Sequence, residues 1–289
     1  MGLLCHFEGT NNDTDTTDDS RYGHRFDFRG DAKISSTQAK FGSTSLFCGG
    51  TNTDRVDVTS VDTDYEGQAG AGLDLGPDDF TLEFWLYWAN KTGYQTIFDA
   101  GYSSGTTPAG AWMIQSAQDN GRLTWRRTGG QQMVEGSDPA TEQWIHYAFV
   151  RSGTTLTCYR DGIQTATCTD NYEYVTLDDI TIGARGSGGT EDQYFFSGYM
   201  DELRITPGVV RYTGTDTSSA NFTVPSAAFS GESFETTTVV TGITGVAAEA
   251  ITLETEKVYS SFSTDAAYGK VRALLHMERL DTTNTDPIS

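Results

Sequence analysis

Residues 195–213, FFSGYMDELRITPGVVRYT, decide the fold. Side chains on a strand alternate faces with period two, which puts Tyr199, Leu203 and Ile205 on one face with Asp201, and Met200, Glu202 and Arg204 on the other. The apolar majority on the first face marks it as the inner one, so Asp201 is expected to point inward. A buried carboxylate is costly unless it is hydrogen-bonded, paired or metal-bound. Two readings of Asp201 follow: an acceptor for backbone N–H groups of a neighbouring loop, or a calcium ligand. Pro207-Gly208 stops the strand, and the following VVRY is too short for more than one turn before the polar loop TGTDTSSA.

Working outward, the strand ITIGA precedes this stretch, and DFTLEFWLYW lies about a hundred residues earlier. In the latter, Phe80, Leu82, Phe84, Leu86 and Trp88 share one face and Thr81, Glu83, Trp85 and Tyr87 the other, the pattern of a deep strand. LLCHF, AKIS, FGSTSLFCGG, DRVDVT, QTIFDA, AWMIQ, RLTWRR, EQWIHYAFVRSG, TTLTCYRDGIQTAT and LDDITIGA read as further strands separated by turn residues. Asp161-Gly162 between two alternating runs signals a two-residue hairpin turn, which makes Asp161 structural. The result is an all-β, two-sheet antiparallel jelly-roll sandwich over residues 1–229.

The chain has 289 residues, 19 basic and 40 acidic, for a formal net charge of −21. That field repels phosphates and anionic surfaces, and nucleic acid is not an expected partner. No apolar run reaches the ~20 residues of a membrane span, and MGLLCHFEGT lacks a charged segment followed by a long apolar one. It reads as a first strand of a chain made in a cytoplasm. Cys5, Cys48, Cys158 and Cys168 lack metal or redox spacing and are expected as packed thiols; a turn at Asp161-Gly162 pairs Cys158 with Thr165, leaving Cys168 out of reach.

Residues 8–30 read as a long polar loop carrying Asp13, Asp15, Asp18 and Asp19. Asp13 and Asp15, with Asp201, are the candidate metal ligands and calcium the candidate cofactor; the loop lacks the glycine and terminal glutamate of an EF-hand, and a solvated acidic loop is the alternative. Sugar sites need aromatic faces beside polar groups, for which Tyr102, Trp112 and Trp125 are candidates; the alternative is that both tryptophans fill the core. No catalytic residue emerges. Asp201 and Glu202 are adjacent and face opposite ways, and no Ser, His and Asp triad has a local signature.

From residue 230 the composition shifts to Thr, Val, Glu and Ala, with too little apolar mass for a separate core. Residues 230–289 are expected to form a β-rich arm that pairs with another chain. Near its end Leu274, His276 and Glu278 align without a gap to Leu4, His6 and Glu8, as in the opening strand of a truncated repeat.

The ordered blocks LLCHFEGTN, KFGSTSLFCGG, FTLEFWLYW, QWIHYAFVRSGTTLTCYRDGIQ, ITIGA, FSGYMDELRITPGVVRYT and NFTVPSAAF resemble the laminin-G-like jelly roll of the concanavalin A-like lectin superfamily, in the version found in bacteriophage virion proteins. The resemblance spans residues 3 to about 229. It implies two curved sheets whose rim loops bind sugars or proteins in some members, sometimes with calcium. Glycosidases on this fold carry a Glu-x-Asp-x-x-Glu cluster on one strand, absent here, so no enzyme activity is expected. The resemblance implies a virion structural protein displayed on the particle surface, as head decoration, fibre or tail fibre. Other virion proteins would then be its partners, it would be a homotrimer, and the arm would anchor it; the alternative is a module binding host surface glycans.

Overall fold

In a computed structural model, residues 1–51, 53–59, 72–102, 109–174, 179–186 and 194–231 are described. The compact unit holding them runs Met1–Ser233. The expected arm lies outside the described residues from position 232 onward. Among the described residues no helix is long and apolar enough to cross a membrane.

The strands are β1 (Leu3–Cys5), β2 (Arg25–Arg29), β3 (Lys33–Ser35), β4 (Ser45–Gly49), β5 (Arg55–Thr59), β6 (Phe80–Trp88), β7 (Thr96–Ala100) and β8 (Trp112–Ser116). They continue with β9 (Leu123–Arg127), β10 (Gly130–Val134), β11 (Trp144–Ser152), β12 (Thr155–Arg160), β13 (Ile163–Thr169), β14 (Asp179–Ile182) and β15 (Ser197–Pro207). One sheet has the order β13-β12-β11-β6-β15-β4-β3, with β1 also on β15, and the other β10-β9-β8-β7-β14-β5-β2. Every strand pairing is antiparallel, as expected for the two-sheet sandwich.

The core fills the space between the sheets. Phe80, Leu82, Phe84, Leu86 and Trp88 of β6 all enter it, as their alternation predicts. On β15 the alternation fails. Asp201 pairs with Trp85 and Arg204 with Glu83, so three steps along β15 match two along β6. One extra residue therefore interrupts the strand as a bulge, with Glu202 at φ 53°. Met200 thus enters the core together with Leu203 and Ile205. Tyr199 sits on the opposite face, against Phe47 and Tyr87. The expectation that Asp201 and Tyr199 share the inner face is corrected by this single inserted residue.

Two strands were not expected. Residues 25–29 pair with β5 as an edge strand, inside the stretch read as loop. Residues 130–134 pair with β9, again at a sheet edge. The Asp161-Gly162 turn joins β12 and β13 as anticipated, with both residues at positive φ, 50° and 80°. A bulge beside Cys158 pairs that residue with Ala166 rather than Thr165, and all four cysteines are free thiols.

Trp112 and Trp125 stack at 5.0 Å and 2° between the sheets, both fully buried. The Trp125 indole N–H donates to Tyr174 Oη at 2.9 Å. Truncating this side chain removes a large buried surface and leaves a cavity and an unpaired hydroxyl. Trp125→Ala is expected to lower unfolding free energy by about 3–5 kcal/mol in urea titration; a loss below about 1 kcal/mol would show that the stack is not central to the core.

Candidate binding rim and sealed carboxylates

The outer face of the eight-stranded sheet is not open. After β15, residues 208–231 run across it: Val210, Tyr212 and Phe222 pack on Ala148, Val150 and Tyr159, while Val224 and Phe229 meet Trp85 and Leu4. Tyr212 and Phe222 stack at 3.8 Å. Asn221 N–H donates to Gly162 O at 2.7 Å and pins this strap to the hairpin turn.

Beneath the strap lies Glu83 of β6, fully buried. Its Oε1 accepts from Arg204 Nε at 2.8 Å and pairs with Nη2 at 2.7 Å, and its Oε2 accepts from Tyr212 Oη at 2.7 Å with His146 Nε2 at 3.3 Å. Burial is the largest influence on its pKa and pushes upward, but His146 and Arg204 outweigh it and hold the carboxyl below the usual range. Glu83 is therefore a fixed counter-ion to Arg204 and His146.

The bulge builds a second polar junction. Asp201 Oδ2 accepts from Lys40 N at 2.7 Å and Phe41 N at 3.2 Å, and Oδ1 from Glu202 N at 2.9 Å. This is the backbone-acceptor reading of Asp201. Burial pushes its carboxyl up to about 8 even against those N–H donors. Glu202 turns to the sheet edge, where both of its oxygens lie 2.9 Å from His6 Nδ1 and Oε2 accepts Phe229 N at 2.5 Å. The hydrogen bond to Glu202 raises the His6 pKa. His6, Glu8, Asp19, Glu202 and Phe229 line a cleft of about 340 Å³ there.

The candidate metal ligands do not assemble. Asp13 Oδ2 accepts Thr10 N at 2.9 Å, Asp15 is exposed, and N–H groups already converge on Asp201, leaving its oxygens facing donors rather than a cation. Among the described residues no three His, Cys, Asp or Glu side chains are placed to share a metal ion. Calcium does not fit this set. Asp18 of the acidic loop is instead an anchor, accepting Leu4 N at 3.0 Å and His24 N at 2.9 Å, with His24 Nδ1 at 2.6 Å.

Of the three aromatic candidates, Trp112 and Trp125 are core residues with no open face, as the alternative reading of them held. Tyr102 lies at the rim, half-buried. Asp99 of β7 clips that rim together: Oδ1 accepts Tyr102 N at 2.7 Å and Oδ2 accepts Gly186 N at 2.8 Å. Arg185 is thereby brought over the Tyr102 ring, 5.4 Å from its centroid, and lies 5.7 Å from that of Tyr194. Tyr194 meets Tyr94 edge-on at 5.4 Å, and Tyr94 is the one exposed large hydrophobic side chain among the described residues. Arg185, Tyr94 and Tyr194 went unrecognised in the sequence. The only local signal is the glycine-flanked run GARG, and it points to Arg185 alone.

A family profile described as the concanavalin A-like lectin/glucanases superfamily matches residues 37–211, more than half of the chain. The chain belongs to that superfamily. No curated protein matches the sequence. Among solved structures this superfamily member is similar to the binding domain of botulinum neurotoxin DC in complex with SialylT, at 14% identity and TM-score 0.48, over 71% of this chain and 47% of that one. It is also similar to domain 4 of AbnA, a GH43 extracellular arabinanase from Geobacillus stearothermophilus, in complex with arabinotriose, at 15% identity and TM-score 0.47, over 72% and 92%. The lectin-like jelly roll spans about half the length of the toxin binding domains it matches.

Two buried carboxyls and the half-buried His6 set the pH response between weakly acidic and mildly alkaline pH. Burial pushes Glu135 to about 7 and Asp201 to about 8, and Glu202 raises His6. Each folded-state pKa lies above its unfolded value, so each contribution is complete below the unfolded pKa and is lost as pH climbs through the folded one. The urea midpoint is expected to fall as pH rises from about 4.5 to about 8, and Glu135→Gln to flatten the portion below about pH 7. A midpoint that rises over this window would contradict the assignment.

Proposed function

We propose that the chain is a non-enzymatic recognition module displayed on the surface of a bacteriophage particle, with glycans as ligands of the Tyr102 rim. Membership of a superfamily of lectins and glucanases leaves binding and cleavage as the two chemistries to weigh. One observation favours binding: the strap of residues 208–231 roofs the outer face of the eight-stranded sheet, and the carboxylate beneath it, Glu83, is consumed by Arg204, His146 and Tyr212. A glycosidase needs two carboxyl groups flanking an accessible bond. The aromatic and cationic side chains at the rim supply the stacking faces and polar contacts a sugar needs.

The virion setting rests on the resemblance of the ordered sequence blocks to phage jelly rolls and on a whole-chain net charge of −21, which suits an exposed surface. In this reading residues 230–289 join the sandwich to a homotrimer and to other virion proteins. Light scattering of the full chain should return a trimer mass at every concentration, and removal of residues 232–289 a folded monomer. A truncated protein that kept the full-length assembly would remove the arm from this role.

On a glycan array, the full chain should give hits that Tyr102→Ala weakens by about tenfold, the cost of losing one stacking face. An array blank with and without calcium would sink the glycan reading and leave a purely structural surface protein.

A further inference from the structure

Arg185 stands apart from the other buried cations. Arg151 donates to Asp78 O, Gly76 O and Tyr172 O, and Arg204 is paired with Glu83. Arg185 is only 9% exposed, yet among the described residues its guanidinium has no hydrogen-bond or ion-pair partner, and its Nε is shut off from solvent without one. In a chain with 40 acidic and 19 basic residues, a guanidinium that meets no carboxylate among the described residues is conspicuous. Asp99, the carboxylate that ties its loop framework together, accepts the backbone N–H groups of Tyr102 and Gly186.

We infer that Arg185 and the tyrosines around it form a subsite for a carboxylate-bearing sugar. The inference rests on the glycan reading above and names the ligand class for that same rim. A guanidinium held against two rings keeps a fixed plane, and a planar fork of N–H donors matches a carboxylate in two parallel hydrogen bonds. The rings also exclude water from one side of the cation, so an anion arriving on the other side displaces less competing solvent. Tyr94, edge-on to Tyr194 and 37% exposed, extends the wall outward and offers a face to the sugar ring. The net charge of −21 excludes general attraction of anions, so recognition here has to be local.

The experiment titrates the full chain with trigalacturonate and with glucuronyl- and sialyl-terminated oligosaccharides, each as free acid and methyl ester, by calorimetry. The expected result is that at least one acid binds about tenfold or more tightly than its ester, the value of a charge-assisted bidentate contact. Arg185→Gln should erase that difference. Arg185→Lys, which keeps the charge but not the fork, should erase most of it and decides the matter if the glutamine variant fails to fold. Acids and esters binding alike, or a preference that survives both substitutions, would overturn the carboxylate subsite while leaving glycan binding intact. Binding of no glycan in either form would overturn both readings together.

Discussion

One inserted residue in β15 organises much of this molecule. Because side chains on a strand alternate, an insertion re-phases everything downstream, and without it Met200 could not share the core with Leu203 and Ile205. The bulge lies where the partner along one edge of β15 changes from β4, opposite residues 197–200, to β1, opposite residues 203–205. Two short strands thus share one long edge, and the inserted turn occupies the seam. The seam leaves backbone N–H groups of the 40–41 loop to be satisfied, and Asp201 accepts them. Burying that carboxyl is costly, as its raised pKa reports, and three N–H donors offset part of the cost.

The same seam connects the first strand to the strap. Glu202 holds His6, from the chain's start, and the Phe229 backbone, from the strap's end. On the sheet between, Glu83 gathers Arg204 and Tyr212. Such a cluster need not add net stability over an apolar equivalent, but breaking it from one side leaves a buried charge unpaired, at about 3–5 kcal/mol. Its effect here is one of registry: Tyr212 is directed to one carboxylate by a hydrogen bond, where hydrophobic packing alone would accept several placements. The outer face of this sheet is thereby given over to holding the chain's own segment.

What the sequence makes legible follows from how local each signal is. The alternation of FTLEFWLYW and the Asp-Gly turn depend on neighbours a few residues apart, and both placed their elements correctly. β2 escaped because RFDFR is short, carries three charges and sits at an edge where only half its residues need be apolar. GQQMV escaped for the same reason, with glycine and two glutamines leaving almost no hydrophobic contrast. The bulge was hidden because nothing in YMDELRI announces that Glu202 adopts a left-handed conformation. Residues 208–231 carry their anchors at Tyr212, Phe222 and Phe229, ten and seven residues apart and without period-two alternation, so the sequence shows an extended segment and not the face it packs on.

The rim is the least legible part and the one most suited to specificity. Tyr94, Tyr102, Arg185 and Tyr194 come from three separate connections between strands, and no window of sequence contains them together. They meet because β7 and β14 are hydrogen-bonded neighbours, which sets the connections at their ends side by side, and because Asp99 ties two of those connections by their backbones. Backbone-mediated ties constrain the position of a loop without constraining its side chains. A rim held this way can exchange Tyr102 or Arg185 for other residues and keep its geometry, so the ligand can change while the scaffold stays. That separation explains why a superfamily defined by its sheets predicts a binding fold and is silent on the ligand.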